Sequence, residues 1–298
     1  MAAMRLHLVV NPHAGGGRAR TVLPQYERLL ARHDVVTTET RDLAHADVLA
    51  AEAIADGRTV VAVGGDGLTG RLAGAVSEQD GLLAVLPGGR GNDFARAMGI
   101  PADPEAAVTA LESSVERRID LGDANGTAFL CIASVGFDSD VQEFALRTRL
   151  PLGGQIYTVG TLRALLTWRH ATFTVQVDGD PARMRGWSVV AANTSMYGGG
   201  MRIAPDAVPT DGMLDVVTTG ASGRLRFLTN FPKIFAGTHT SLGEVSVVRT
   251  SRVLVDADRP FRVFADGDPI ATLPCTVSVR PGALRVLAPS EPVATVSG

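Results

Sequence analysis

The chain has 298 residues, enough for two ordinary domains that each bury a core. Hydrophobic residues make up 45% and charged residues 20%, with a net charge of −3, values that predict a soluble globular protein and exclude the basic excess of a nucleic-acid binder. Cys131 and Cys275 lie far apart in apolar text, which predicts reduced, buried thiols and a cytoplasmic protein, and no apolar stretch is long enough to span a bilayer.

The opening residues, up to Asn11, read as a first strand rather than a signal peptide, with Leu6 to Val10 as its apolar run. A glycine cluster, Gly15 to Gly17, follows. Leu23, Tyr26, Leu29 and Leu30 then mark one side of a helix. Val35 to Thr40 reads as a second strand, and Leu43 to Ala55 as an alanine-rich helix closed by Gly57. Thr59 to Val63 is a buried strand that runs into Gly64-Gly65-Asp66-Gly67, and Leu68, Leu72, Ala75 and Val76 continue with helical spacing. Leu82 to Leu86 is another buried strand, followed by a Pro-Gly-Gly turn and a helix that Asn92 or Asp93 can cap and Gly99 ends. Strands separated by helices predict a parallel sheet covered on both faces. After about residue 120 the text turns β-rich. Apart from a helical segment over 155–168, alternating runs recur at 128–135, 173–177, 187–193, 214–219, 245–248, 253–255, 261–265, 276–279 and 284–287. Short strands at that spacing predict a sandwich-like second domain. The tail after Pro289 reads as a loose terminus.

The segment from Val60 to Gly67 is the most informative. A buried strand delivers a glycine turn to the carboxyl edge of a sheet, where open α/β folds place ligands. Glycines there let backbone N–H groups approach phosphate oxygens, and the next helix offers its positive N-terminus. Asp66 in such a turn suits a cation or a structural partner better than a phosphate. A lone Gly-Gly-Asp-Gly is as often a plain strand–helix turn. Here a second turn follows, Pro87-Gly88-Gly89-Arg90-Gly91-Asn92-Asp93.

With Asn11-Pro12 and Gly15 upstream, these turns resemble the catalytic-domain family of diacylglycerol kinases, which includes sphingosine and ceramide kinases and is similar in nucleotide fold to NAD kinases. The resemblance extends through Gly136-Phe137-Asp138, Tyr197-Gly198-Gly199-Gly200-Met201, Ala204-Pro205, Asp211-Gly212-Met213-Leu214-Asp215 and Asp266-Gly267-Asp268. The sequence also departs from the pattern. Leu68 stands where a threonine is usual, with Thr69 one place later. Gly70 and Arg71 replace the usual asparagine and glutamate. Arg90 replaces a second threonine, and Ala14 and Gly16 replace serine and lysine. Arg18, Arg20 and Arg90 are candidates to supply positive charge toward phosphate in their place.

The resemblance implies a nucleotide site built from Asn11, Gly15, Thr40, Gly64, Gly65, Asp66, Gly67, Gly89, Arg90, Asn92 and Asp93, with ATP as donor and Mg²⁺ as cofactor. It implies a structural metal loop at Asp211, Leu214 and Asp215, where Asp215 is open to a purely supporting role. It implies Asp266 as catalytic base with Asp268 behind it, although Asp268 is one methylene shorter than the usual glutamate. Most of these aspartates adjoin glycine, so each taken alone could be an ordinary turn residue. Asp120 could join Asp66 in an acidic network or simply end a strand. His13 lies in the first loop, open to nucleotide or to solvent. Trp168 and Trp187 are expected to pack in a core.

The expected fold is thus a doubly wound, Rossmann-like α/β domain over 1–125 and a mostly β sandwich over 126–288. The final strand near 284–298 is expected to return to the first domain, and the active site to lie in the cleft between them. The expected reaction phosphorylates a lipid hydroxyl, diacylglycerol first, at a membrane surface reached by peripheral, transient association. Alternatives are a kinase of a sphingoid base, NAD or another soluble alcohol, or a catalytically weakened nucleotide- or lipid-binding protein. Monomer and homodimer both stay open. Arg147, Arg149, Arg163 and Arg169 flank the helix over 155–168 and would favour anionic lipid by about 1 kcal/mol each, or else form a solvated helix face.

Overall fold

The structure, a computed structural model, describes residues 3–148 and 155–290. Arg149 and residues 291–298 lie outside that range. The chain divides into two compact units.

The first comprises the described parts of Met1–Leu121, Met196–Gly200 and Pro281–Gly298. Its elements are β1 (Arg5–Val10), α1 (Arg18–Leu29), β2 (Asp34–Glu39), α2 (Leu43–Ala55), β3 (Thr59–Gly64), α3 (Asp66–Ser77), β4 (Leu82–Pro87), α4 (Asp93–Ala97), α5 (Pro104–Glu112) and most of β5 (Val115–Ala124). β1 pairs in parallel with both β2 and β3, and β3 with β4. Helical crossovers make this possible, and the strands carry the composition it demands: Leu8 to Val10, Val60 to Val63 and Leu83 to Leu86 are all buried. The Asp42 carboxylate accepts the His45 N–H at 2.7 Å to start α2, and Gly57 in the left-handed region (φ 63°) ends it. Tyr26 on α1 is fully buried and its hydroxyl donates to the Pro87 carbonyl at 3.0 Å. That bond fixes the helix following the first glycine loop to the end of β4.

The second unit comprises Gly122–Ser195 and Met201–Arg280. It contains β6 (Thr127–Phe129), β7 (Ile132–Gly136), α6 (Phe137–Arg147), α7 (Gln155–Thr167), β8 (Ala171–Val177), β9 (Asp180–Ala192), β10 (Leu214–Gly220), α8 (Arg224–Asn230), α9 (Pro232–Ala236), β11 (Val245–Thr250), β12 (Arg252–Ala257), β13 (Arg262–Ala265), β14 (Asp268–Thr272) and the start of β15 (Cys275–Ala288). The strands run in the order β14-β13-β7-β9-β8-β12-β15, all antiparallel, with β10 and β11 branching from β9. β9 organises the sheet. Its first half pairs with β8, and its second half pairs with β7 on one edge and β10 on the other. Gly186 sits where the halves meet. A Cβ there would lie 2.2 Å from the Thr219 carbonyl oxygen, so only glycine lets β10 approach. Trp168, Trp187, Phe137 and Phe173 are buried in the core, Trp168 and Trp187 stacked with centroids 6.3 Å apart.

The observed architecture is an N-terminal α/β unit with parallel strands and a β-sandwich-like second unit. Two details differ from the sequence reading. The runs over 276–279 and 284–287 are one strand, β15, which passes through Pro281-Gly282. Gly282 is left-handed there (φ 56°), and its N–H donates to the buried Asp120 carboxylate at 2.7 Å. The C-terminal part of β15 pairs in parallel with β4 through Arg285 and Val286, so this strand belongs to both units. Second, α5, α6, α8 and α9 are helices that the sequence reading did not assign.

Candidate functional site

β1, β3 and β4 are neighbours in one parallel sheet, so the turns that leave them emerge at the same edge. Those turns pack backbone on backbone. A Cβ on Gly15 (φ 63°) would sit 3.1 Å from the Gly88 carbonyl oxygen, and one on Gly89 would sit 2.4 Å from the Gly65 Cα. At Gly64 a Cβ would meet Leu68 Cδ2 at 2.9 Å. Asn11 closes the first loop: its backbone N–H donates to Val63 O at 3.1 Å and its side-chain oxygen accepts the His13 N–H at 3.0 Å. His13 itself is exposed. Thr40, just after β2, donates both its N–H (2.7 Å) and its hydroxyl (3.2 Å) to Val10 O. It therefore buttresses the start of that loop and has its proton already committed.

Asp66 opens the first turn of α3, with Gly67 beside it. Its Oδ1 accepts the Phe94 N–H at 3.2 Å, while its Oδ2 and the Asp93 Oδ2 both border the open face of Gly91, 2.7 and 3.2 Å from where a Cβ would stand. Burial, then the neighbouring Asp93 carboxylate, push the Asp66 carboxyl above its ordinary range. Two carboxylates placed this close also favour a divalent cation. Mg²⁺ is commonly held by one or two carboxylates plus substrate phosphates, so this pair fits it. Asp93 has a second task. Its two oxygens accept the backbone N–H groups of Gly199 and Gly200, at 2.8 and 2.7 Å. That contact draws residues 196–200 into the first unit.

Asn92 is the N-terminal flank of α4 but does not cap it. It adopts φ 51° and turns back on its own loop, accepting from Gly89 N (2.9 Å) and donating to Gly89 O (3.0 Å). Arg90 is exposed, and its Nη2 lies 2.9 Å from the position of a Cβ on Gly16. The guanidinium thus reaches across to the first glycine loop. Arg20 is spoken for by a two-point contact with Glu39, at 3.1 and 2.7 Å. The Thr69 hydroxyl donates to Gly65 O at 3.1 Å within its own helix, and Leu68 is buried. Neither replaces a phosphate-facing threonine.

In the second unit, Asp266 and Gly267 form the two-residue turn of the β13–β14 hairpin, with φ 51° and 98°, the backbone of a type I′ turn. The carboxylate does more than turn the chain. Its oxygens accept the N–H groups of Leu130 at 2.6 Å and Cys131 at 2.9 Å, with Ile132 at 3.4 Å. Asp268 begins β14 opposite Ala265.

The Asp211 loop differs from its expectation. Asp211 Oδ1 accepts the Met213 N–H at 2.9 Å and its Oδ2 pairs with Arg249. Arg249 Nε also stands 3.9 Å from Asp215, which is buried in β10 after Leu214. Burial raises the Asp215 carboxyl above its ordinary range, and Arg249 draws it back. Among the described residues no three His, Cys, Asp or Glu side chains stand together as metal ligands. The positive charge at this loop is a guanidinium, so as arranged its side chains do not fit a metal. Sequence reasoning did not pick out Arg249, a strand arginine with no local signal, nor the backbone donors at 130–132 and 199–200. The glycine run 198–200 was the one available hint of the latter.

Residues 5–124 match the model of the diacylglycerol kinase catalytic domain, and residues 131–288 match that of the YegS C-terminal NAD kinase beta sandwich-like domain. A diacylglycerol kinase of Mycobacterium tuberculosis is 36% identical, with 94% of each chain covered. A YegS-like relative from Pseudomonas fluorescens is 32% identical over 89% of each chain. A crystal structure of a diacylglycerol kinase from Bacillus anthracis superposes with a TM-score of 0.75 at 20% identity, covering 97% of this chain and 98% of that one, a likeness of fold. Similarity at this level over nearly the whole length means that the chain belongs to the diacylglycerol kinase catalytic-domain family of lipid kinases.

Proposed function

We propose that this protein transfers the γ-phosphate of ATP to the hydroxyl of a membrane lipid, with diacylglycerol as the leading acceptor and phosphatidic acid as product. The observation that carries the reading is the edge where three glycine turns pack backbone to backbone beside the Asp66–Asp93 pair, with Asp93 buried and Asp66 half-buried. Relatives named diacylglycerol kinase support the choice of acceptor.

Phosphoryl transfer asks a protein for positioning and charge stabilisation more than for covalent chemistry. Backbone N–H groups at Gly64, Gly65 and Gly67 and the N-terminus of α3 would receive phosphate oxygens. Arg90 would add a guanidinium fork from the β4 turn. Asp66 and Asp93 would hold Mg²⁺, which neutralises charge on the transferred group when bound. Asp266 would orient the acceptor hydroxyl and receive its proton as the P–O bond forms. Its fixed seat on the Leu130 and Cys131 N–H groups supports an orienting role, and Asp268 would back it. Arg249 would spare the Asp211 loop a metal. Titration calorimetry tests the donor half: ATP binding should need Mg²⁺ and weaken at least about tenfold in Asp66→Ala. Equal affinity with and without Mg²⁺ in both proteins would refute it.

A further inference from the structure

No helix among the described residues is long and apolar enough to cross a membrane. A kinase of bilayer lipids must then hold its substrate's surface by some exposed face. From two stretches of the second unit we infer that this face is the outer side of α7 together with α8 and α9, docking on an anionic lipid bilayer. The inference rests on the lipid-kinase reading only for its choice of a bilayer as occupant.

The first observation is apolar exposure. Val159, Leu162 and Leu166 recur at helical spacing on one side of α7, 38, 54 and 71% exposed. The opposite side is already used. Gly160 and Ala164 are buried there, Gly160 facing Phe144 of α6. A helix on a water-facing surface turns its polar residues outward, whereas α7 turns leucines. Leu225, Leu228 and Phe235 on α8 and α9 are 75, 49 and 49% exposed. The two stretches share a floor. Arg224 Nη2 donates to Trp168 O at 3.2 Å, and the Phe137 ring lies edge-on to both Trp168 and Phe227. The outward leucines therefore stand on a buried aromatic cluster rather than on loose chain.

The second observation is charge. Residues 155–170 and 221–243 contain no aspartate or glutamate, in a chain with 31 of them and a net charge of −3. They carry Arg163, Arg169, Arg224, Arg226 and Lys233. Arg226 is ion-paired with Glu244 just beyond the stretch, and Asp140 of α6 lies within electrostatic reach of Arg163. A surplus of cations around exposed leucines complements anionic headgroups over acyl chains. It disfavours a second copy of the chain, since a two-fold contact would set the same cations against themselves. Arg147, counted toward membrane binding in the sequence, is paired with Glu143 four residues earlier.

The test is co-sedimentation with vesicles of phosphatidylcholine alone and of phosphatidylcholine mixed with phosphatidylglycerol. The parent should bind the mixed vesicles. Leu166→Asp with Leu225→Asp should bind them at least about tenfold more weakly, and Arg163→Gln with Lys233→Gln should lose the preference for phosphatidylglycerol. All these positions are exposed, so melting temperatures should match the parent. Phosphorylation of a short-chain diacylglycerol dispersed below its aggregation limit should be unchanged in each variant. Parent protein that ignores vesicles, or a double aspartate variant that binds them like the parent, overturns the docking face. So does dimerisation of the parent that the same aspartates abolish without any vesicle binding. If the parent binds vesicles through this face yet phosphorylates no lipid alcohol, the docking face stands and the kinase reading is the part that fails.

Discussion

Gly89→Ala is the sharpest perturbation of the nucleotide edge. The added Cβ would lie 2.4 Å from the Gly65 Cα, 3.0 Å from the Gly65 nitrogen and 2.9 Å from Asn92 Oδ1. Carbon atoms pack best at about 3.5–4.0 Å, so the β3 and β4 turns must part by about 1 Å or more. Two of the three colliding atoms are backbone, and Asn92 is itself tied to Gly89 by two hydrogen bonds, so no flexible side chain can absorb the strain. Overpacking of this kind costs roughly 1–3 kcal/mol. At about 2–4 °C per kcal/mol for a chain of this size, the melting temperature should fall by roughly 2–12 °C. The larger effect is on binding, because a misplacement of about 1 Å at a phosphate site costs roughly a hundredfold. Gly65→Ala is the built-in comparison. Its Cβ would sit 3.4 Å from the Gly89 Cα, an ordinary contact, at a φ of −103° that any residue adopts. It should melt within about 2 °C of the parent. Scanning fluorimetry and ATP titration read both quantities. A Gly89→Ala protein with parental melting temperature and ATP affinity would show that the two turns do not touch as described.

Asp66→Asn should raise the melting temperature of chelator-treated protein at neutral pH. The carboxyl binds its proton more tightly in the folded than in the unfolded chain, so the charged form opposes folding above its raised titration point, and the gain should vanish as pH falls through it. Added Mg²⁺ should stabilise the parent and not the variant. Arg249→Ala should lower the melting temperature by a few degrees, about 1–2 kcal/mol, by leaving buried Asp215 without its cation. In the Asp66→Asn background, where Mg²⁺ no longer stabilises, the protein should melt alike with and without a chelator if Arg249 alone serves the Asp211 loop, and a chelator-sensitive variant would restore a metal there. Asp266→Asn should cut kcat about a hundredfold with the KM for ATP little changed. It should also lower the melting temperature, because one of the two oxygens held by the Leu130 and Cys131 N–H groups becomes a donor. Rates are best compared well below both transitions.

Much of the first unit was legible because its signals are local. Buried strands over Leu6 to Val10, Thr59 to Val63 and Leu82 to Leu86 announce themselves by composition, and the helix over Leu43 to Ala55 carries both its cap and its stop. What the sequence hid is contact between distant segments. Gly89 entered the candidate site by resemblance, and only the packing shows that its contact with Gly65 leaves no room for a side chain. Asn92 read as a helix cap because its neighbours are right for one, yet its positive φ points the side chain at Gly89. The Tyr197 to Gly200 block read as part of the β domain, since nothing in it reveals that Asp93, more than a hundred residues earlier, accepts its N–H groups. Asp266 was legible as a hairpin turn, which its φ of 51° bears out, and by resemblance as a functional acid, while the N–H groups of Leu130 and Cys131 that it accepts were not legible. β15 was split in two because Pro281-Gly282 is a turn signal that the Asp120 carboxylate overrides.

The most direct measurement of the central claim follows label from γ-³²P-ATP into the organic phase, over a panel of diacylglycerol, a sphingoid base, ceramide and NAD, with and without Mg²⁺. The account predicts a Mg²⁺-dependent, chloroform-soluble phosphomonoester, most from diacylglycerol, that is absent with Asp66→Ala and reduced about a hundredfold with Asp266→Asn. Label that stays in ATP and inorganic phosphate with every lipid, or that moves only to NAD, would contradict it.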